Sequence, residues 1–476
     1  MRILIACSWS LPHAGGVSTY VNQLLTGLQR AGHQVHTFSP TPDGQGFHIP
    51  ERNAVIDKNA LRPLLAHQTY SYTGPHIPNL DPWITYSEIE RYTLEAAASY
   101  FGVSDYDVIH AQDIVSAHAI SRVKPPHVAL VTTIHGCLAK EWFVKLKEMG
   151  LPEQDTTSPL WFYSVMREHI GATVGDITIA PSNWLKELLV NEFSVPENRV
   201  IVSHYGIDID KFLLSMNREP ITIKPASKTV LLCPARFDVV KGHIHLVHAL
   251  ARLKEERTDW VCWLAGDGSL REAVMQAVSE LGLDEQILFL GNRADIPQLI
   301  GQADFVVLPS IQDNQPFAVI EAQVAGKPLI VSDAGGIPEM LPPPFNQHIS
   351  RAGDSEQLYL SIKNALDHAD ASHVTALSAK EWALQHWSLQ HLTERMLDLY
   401  GQTISKRPAR SQSAAPLPEP LTSANAELQS EAATDQQPKG KAAHRKWKVR
   451  KRRRSVFKRR KRSSLFGKRR RARKSR

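Results

Sequence analysis

Short β-branched runs alternate with helical patterns through the first two hundred residues, and near Thr229 the alternation begins again. The first series is RILIAC, QVHTFSP, YDVIHAQD, VALVTTIHG, DITIAPS and RVIVSHYG. Between its first two members, Val17, Tyr20, Val21, Leu24, Leu25 and Leu28 recur at helical spacing, and Gly32 stands where a helix stops. Strands separated by helices predict parallel βαβ units with both sheet faces covered. The second series is TVLLCPAR, VCWLAGDG, ILFLG, FVVLPS and PLIVSD, and the polar stretch NREPITIKPASK, with two prolines, joins it to the first. The expectation is an α/β chain of two doubly wound sheets. Their carboxyl ends would meet at a cleft, where such folds bind ligands.

Bulk properties narrow the class. The 476 residues suffice for two or three domains, and 42% apolar with 22% charged content is that of a globular protein. Cys7, Cys137, Cys233 and Cys262 are scattered without CxxC or zinc spacing, so buried reduced thiols are expected. MRILIACSWS has too short an apolar core for a secretory signal, and no run reaches membrane-spanning length. A cytoplasmic protein, peripheral at most at the inner membrane face, is the expectation. The net charge of +7 hides two opposed parts. Residues 439–476 carry 22 Lys and Arg with no acid, which leaves 33 basic against 48 acidic residues, a charge of −15, in residues 1–438. Residues 402–438, rich in Ser, Ala, Pro and Gln, read as a disordered linker to a disordered basic tail.

Several loops carry residues suited to a ligand. Gly15 and Gly16, between the first strand and first helix, allow close backbone approach next to a helix N-terminus that favours an anion, or form a plain turn. GxGxxG is lacking there, and the second strand ends HTFSP without an acid, which argues against nicotinamide or flavin binding. Arg236 and Lys241, five residues apart after TVLLCP, suit a diphosphate clamp or a solvated charge pair. His135 ends VALVTTIH at the cleft edge, where it can donate to a sugar hydroxyl, share in proton handling, or be a satisfied structural histidine. His243, His245 and His248 mimic metal spacing but start a helix whose apolar partners are Leu246, Val247 and Leu250, so they are expected at the surface.

The stretch SIQDNQPFAVIEA, residues 310–322, sets Asp313 and Glu321 eight apart. Pro316 suits a first helical position, Phe317, Ile320 and Val324 form an inner face, and Gly326 ends the helix. Asp313 then lies on a strand-to-helix loop at the cleft, with Glu321 about one turn into the helix. Both can accept hydrogen bonds from hydroxyls of a ligand whose phosphates meet Arg236 and Lys241.

With GGVSTYVNQLLTGLQRAGH, APSNWLKELL, YGIDIDKF, ARFDVVKG, LAGDGSLREAV, FLGNRADIPQLIGQADFVVLPS and IEAQVAGKPLIVSDAGGIPEML, the chain resembles retaining, nucleotide-sugar-dependent glycosyltransferases of the GT-B fold, family 4, over residues 1 to about 400. The resemblance implies a Rossmann-like acceptor domain over 1–205 and a nucleotide-sugar donor domain over 206–381. Residues 382–400 would be a last helix crossing back onto the first domain. It also implies that Gly15 and Gly16 approach the donor, with Gly16 near the diphosphate and His135 near the transferred hexosyl group. Arg236 and Lys241 would hold the diphosphate, Asp313 would meet the sugar, Glu321 the ribose, and Asn292 and Arg293 would border the base. No cofactor or metal is implied; the DxD Asp208–Asp210 reads as a structural turn.

Two positions depart from the family pattern. Asp313 stands where its E-x7-E motif begins with Glu, and Tyr205 where Asn often precedes the glycine of YGID. An epimerase or hydrolase on the same scaffold, and a degenerate, non-enzymatic surface-assembly protein, are the alternatives. The partners implied are a nucleotide sugar and a glycan or lipid-linked acceptor in polysaccharide biosynthesis. The tail would bind an anionic membrane or acidic polymer, with nucleic acid, stacked on Trp447 and Phe457, as the lesser alternative.

Overall fold

A computed structural model describes residues 1–409 except Ala14, Pro78, 149–156 and Gln347. The basic tail over 439–476, and the linker from residue 410 onward, lie outside the described residues. Residues Met1–Arg410 form one compact unit.

Two sheets organise that unit. The first runs β4-β3-β2-β1-β5-β6-β7-β8. Its strands are β1 (Arg2–Ala6), β2 (Gln34–Pro40), β3 (Gly46–Ile49), β4 (Ala54–Asp57), β5 (Val108–Ala111), β6 (Ala129–Thr133), β7 (Ile177–Ala180) and β8 (Val200–Val202). The six strands anticipated from the sequence pair in parallel, whereas β3 and β4 add an antiparallel hairpin at the edge. The second sheet runs β11-β10-β9-β12-β13-β14, all parallel. It comprises β9 (Thr229–Pro234), β10 (Trp260–Ala265), β11 (Ile287–Gly291), β12 (Phe305–Leu308), β13 (Leu329–Ser332) and the short β14 (Ile349–Ser350). The central strands are fully buried, as their unbroken apolar runs require. All four cysteines are free and buried, Cys137 included.

Strand order fixes where a ligand can sit. In the first sheet the chain leaves β1 toward β2 and later returns on the other side with β5; in the second, β10 and β12 flank β9 in the same way. Such reversals open a crevice at the carboxyl ends of the two central strands. In this chain the first crevice is edged by the Gly15–Gly16 turn and by Gln112, the second by Arg236, Lys241 and Asp313.

The end of the chain differs from expectation. Residues 382–400 are not one helix, because helix Ala369–His386 stops at Trp387 and Ser388 caps a new helix, Leu389–Ser405, through the His391 N–H. That helix extends into the stretch read as linker, with Thr403 buried and Arg407 paired to Asp176 beyond it. It returns to the first sheet and packs on helix Gly16–Arg30, where a side chain at Gly27 would collide with Thr393 Oγ1 at 2.0 Å. The Tyr400 hydroxyl meets His110 Nδ1 at 2.6 Å beneath β5. Leu389–Ser405 thereby ties the second half of the chain to the first. Among the described residues no helix is long and apolar enough to cross a membrane.

Candidate active site between the two sheets

The Gly15–Gly16 turn faces the second sheet. Gly15 has φ +155°, and a side chain there would touch His13 at 3.0 Å and approach Arg236 Nε at 4.0 Å. One on Gly16 would meet Phe317 Cδ2 at 3.9 Å, at the start of helix Phe317–Ala325. The bare turn leaves backbone amides, rather than side chains, between Arg236 and that helix.

Across the crevice, the loop after β9 is pressed onto the exit of β12. Gly242, in the left-handed conformation, has no room for a Cβ, which would lie 1.9 Å from the Pro309 carbonyl oxygen. This contact sets Lys241 beside Asp313, with Nζ 2.5 Å from Oδ2, and Ser310 Oγ donates to the same oxygen at 3.1 Å. Arg236 is exposed at the mouth. Glu321 lies in the second turn of helix Phe317–Ala325, and burial alone pushes its carboxyl up to about 7.

His135 stands just past β6. Gln112 Nε2 donates to the His110 carbonyl at 3.3 Å, which turns Gln112 Oε1 toward His135 Nε2, 3.1 Å away. Nε2 therefore carries the proton, and Nδ1 accepts from the Tyr205 hydroxyl at 2.5 Å. Packed against Tyr20 and Tyr205, the ring is pushed down to about 3 by burial and is neutral at physiological pH. Both nitrogens are satisfied within the protein, the structural reading that its sequence position left open.

Other expected residues are arranged differently. Arg293 grips Asp295 with Nε at 2.6 Å and Nη2 at 2.5 Å, so its guanidinium is committed to its own loop after the edge strand β11, while Asn292 beside it is exposed. His243, expected at the surface, is buried and stacked on Phe237 at 4.4 Å, because the loop after β9 folds over the first turn of its helix. Asp208 caps helix Ile209–Met216 through the Lys211 N–H and pairs with Arg30 at 2.6 Å, the turn anticipated for the DxD segment.

Sequence reasoning passed over the residues that join the two halves. Asn314 is buried, donating Nδ2 to the His135 carbonyl at 3.2 Å and accepting from Ser182 Oγ. Gln315 Oε1 accepts the Tyr205 N–H at 2.8 Å, and the Tyr205 ring stacks on Phe317 at 5.2 Å. Glu339 accepts the N–H groups of Asn183 and Trp184 at the N-terminus of helix Asn183–Phe193, at 2.8 and 2.6 Å. The signal was the polar DNQ of residues 313–315 between a buried strand and a buried helix face, which in a monomeric lobe would be a costly place for amides.

Two facing doubly wound sheets with a glycine-edged crevice between them define a two-domain α/β fold whose ligand site lies at the facing strand ends. Residues 14–211 match the family described as Glycosyltransferase Family 4, and residues 217–382 that described as Glycosyl transferases group 1. The chain belongs to the family 4 glycosyltransferases of GT-B fold, and it is a glycosyltransferase. An uncharacterized glycosyltransferase of Methanocaldococcus jannaschii is 25% identical over 345 residues, covering 70% of this chain and 81% of that protein. The MMP alpha-(1->4)-mannosyltransferase of Mycolicibacterium hassiacum is 22% identical over 72% of this chain and 84% of its own length. Among solved structures, sucrose-phosphate synthase from Thermosynechococcus elongatus superposes with a TM-score of 0.66 at 19% identity, covering 85% of this chain and all of that one. Anabaena HepE, solved with UDP and glucose, gives 0.58 at 18% identity, over 84% and 99%.

Proposed function

We propose that the chain is a retaining hexosyltransferase that takes its sugar from a nucleoside-diphosphate donor and passes it to a glycan or a lipid-linked acceptor. The observation that carries this reading is the switch point of the second sheet. There Arg236 approaches the bare Gly15–Gly16 turn and Lys241 pairs with Asp313, with the desolvated carboxyl of Glu321 in the second turn of the following helix. Two cations and free backbone amides suit a diphosphate, and a desolvated carboxyl suits the vicinal hydroxyls of a ribose. The uridine diphosphate bound by the HepE structure makes UDP the first nucleotide to try. Residues 1–205 then serve the acceptor and 206–381 the donor.

In this mechanism the bond from the anomeric carbon to the diphosphate oxygen breaks, and one to the acceptor oxygen forms on the same face of the sugar. The acceptor's proton passes to the departing phosphate oxygen. Arg236 and Lys241 neutralise the charge that builds on the leaving diphosphate, and the held Asn314–His135 contact fixes one face of the crevice. Asp313 is engaged by Lys241, so it reaches a sugar hydroxyl through its remaining lone pairs while keeping the lysine in place. His135 meets a hydroxyl only by exchanging Gln112 or Tyr205. No metal or cofactor enters the mechanism, and the basic tail would hold the enzyme at an anionic surface where its acceptor lies. The test is release of nucleoside diphosphate from a panel of nucleotide sugars by the wild type, Arg236→Ala and Lys241→Ala. Each substitution should slow release on the order of a hundredfold with the fold intact, and near-normal release by both would overturn the assignment.

A further inference from the structure

A cavity of about 370 Å³ opens beside the first crevice, on the same rim of the first sheet. Its wall includes Trp9, three residues beyond the end of β1, and Leu138 and Ala139, three and four residues beyond His135. Trp83 and Tyr86 enter from helix Pro82–Phe101, Trp142 from helix Leu138–Glu148, and Arg167 and Glu168 from helix Pro159–Thr173. The indoles of Trp83 and Trp142 meet edge to face at 5.8 Å, and the Arg167 guanidinium lies 5.4 Å from the centre of the Trp83 ring. Trp9, Tyr86 and Trp142 remain 51%, 51% and 46% exposed, although each has apolar surface that a folded chain ordinarily covers.

Glu168 distinguishes this cavity from a mere apolar cleft. The residue has no solvent exposure, and its Oε1 accepts the Ala139 N–H at 3.0 Å with the Cys137 thiol at 3.7 Å. Its Oε2 is buried with no hydrogen-bond partner among the described residues. A buried, unsatisfied carboxyl oxygen is destabilising unless something fills its need. A hydrocarbon chain in the cavity would leave that cost standing. A ring with one apolar face and a hydroxylated rim would remove it, lying on an indole while a hydroxyl donates to Glu168.

We propose that this cavity binds a pyranose ring of the acceptor, stacked on the Trp9, Trp83 and Trp142 indoles and hydrogen-bonded to Glu168 Oε2. The proposal rests on the transferase reading and names its acceptor as a saccharide rather than a hydrocarbon alcohol. The ring would enter from the exposed indoles, with its reacting hydroxyl turned toward His135 and the first crevice.

The full chain can be titrated with methyl pyranosides of glucose, galactose, mannose and N-acetylglucosamine, and separately with n-octanol, by saturation-transfer NMR. UDP affinity is measured in parallel by calorimetry. At least one pyranoside should receive saturation on its ring protons. In Trp142→Ala, whose side chain is half exposed, and in Glu168→Gln, which keeps an oxygen for Ala139 but sets an amide nitrogen where Oε2 accepts, its affinity should fall roughly tenfold, the equivalent of about 1.4 kcal/mol. UDP binding should be unchanged in both. Pyranosides that fail to bind, that bind both variants as tightly as wild type, or that are silent while octanol binds would overturn the proposal. A wild type that binds a pyranoside in this cavity but not UDP would strike the donor assignment and leave the acceptor one standing.

Discussion

Lys241 Nζ stands 2.5 Å from Asp313 Oδ2, and 72 residues of sequence separate the pair. Lys241 is therefore already neutralised before any ligand arrives, by the carboxylate at the leading position of the two-carboxylate pattern. On the proposed reading a bound diphosphate shares Lys241 with Asp313. Both side chains are mostly buried, at 19% and 12% exposure, so their attraction is little screened. Replacing Asp313 by Asn should free the lysine, tightening UDP several-fold while slowing turnover, since the UDP product leaves a more cationic crevice more slowly. Calorimetry together with steady-state turnover reads both effects, and weaker UDP binding by Asp313→Asn would contradict the arrangement.

Tyr205 supplies the proton that holds His135 Nδ1. Tyr205→Phe keeps the stack on Phe317 and deletes that donor, so stability should drop by about 1 kcal/mol. A thermal midpoint and the imidazole 15N shifts check this. The shifts should report a ring no longer held as the Nε2–H tautomer alone, whereas unchanged shifts would show that Tyr205 does not orient the ring.

Glu321 gives a pH signature. Its folded carboxyl is raised to about 7 from the ordinary 4.5, so it favours the folded state below pH 4.5 and that contribution is lost as pH rises through 7. The stability of the wild type relative to Glu321→Gln should fall across this window. If ribose hydroxyls donate to the carboxylate, UDP binding favours the ionised form and releases protons near pH 7. Calorimetry in two buffers of different ionisation enthalpy should show that release in wild type and none in Glu321→Gln.

Asp208 serves as a helix cap and as the partner of Arg30, so the Asp208–Asp210 DxD is occupied structurally. Activity should survive EDTA, and Asp208→Ala should cost about 1 kcal/mol of stability with little change in donor KM. Loss of activity in chelator, restored by manganese or magnesium, would contradict the cationic clamp.

Much of this was legible in the sequence, because unbroken β-branched runs mark strands buried on both faces and the Arg236–Lys241 spacing marks a loop. The β3–β4 hairpin escaped because four residues of GFHI or AVID mix polar with apolar and lie at a sheet edge. The segment 382–400 read as one helix because its apolar pattern runs through Trp387, while Ser388 is what restarts it. His243 read as exposed because helix periodicity says nothing of a loop folding over a first turn. Residues that act across the cleft, such as Asn314 with His135, or Tyr205 with Gln315, are contacts between distant stretches that no local pattern encodes.

The tail keeps its own test. The full chain should sediment with anionic liposomes at low salt and be released as salt rises. The truncation for comparison ends at residue 409, because Thr403 is buried and Arg407 pairs with Asp176. Equal sedimentation of that truncation, or binding of the tail only to nucleic acid, would refute the surface anchor.

The central claim, sugar transfer with retention from a diphosphate held by Arg236 and Lys241, is tested most directly by proton NMR of a transfer reaction. Wild-type enzyme is supplied with UDP-sugars of α configuration and the pyranoside acceptor panel. The account predicts release of UDP and a new glycoside whose anomeric proton keeps the donor's α coupling, with both signals lost in Lys241→Ala. A β-linked product, or α-linked product formed equally fast by Lys241→Ala, would contradict it.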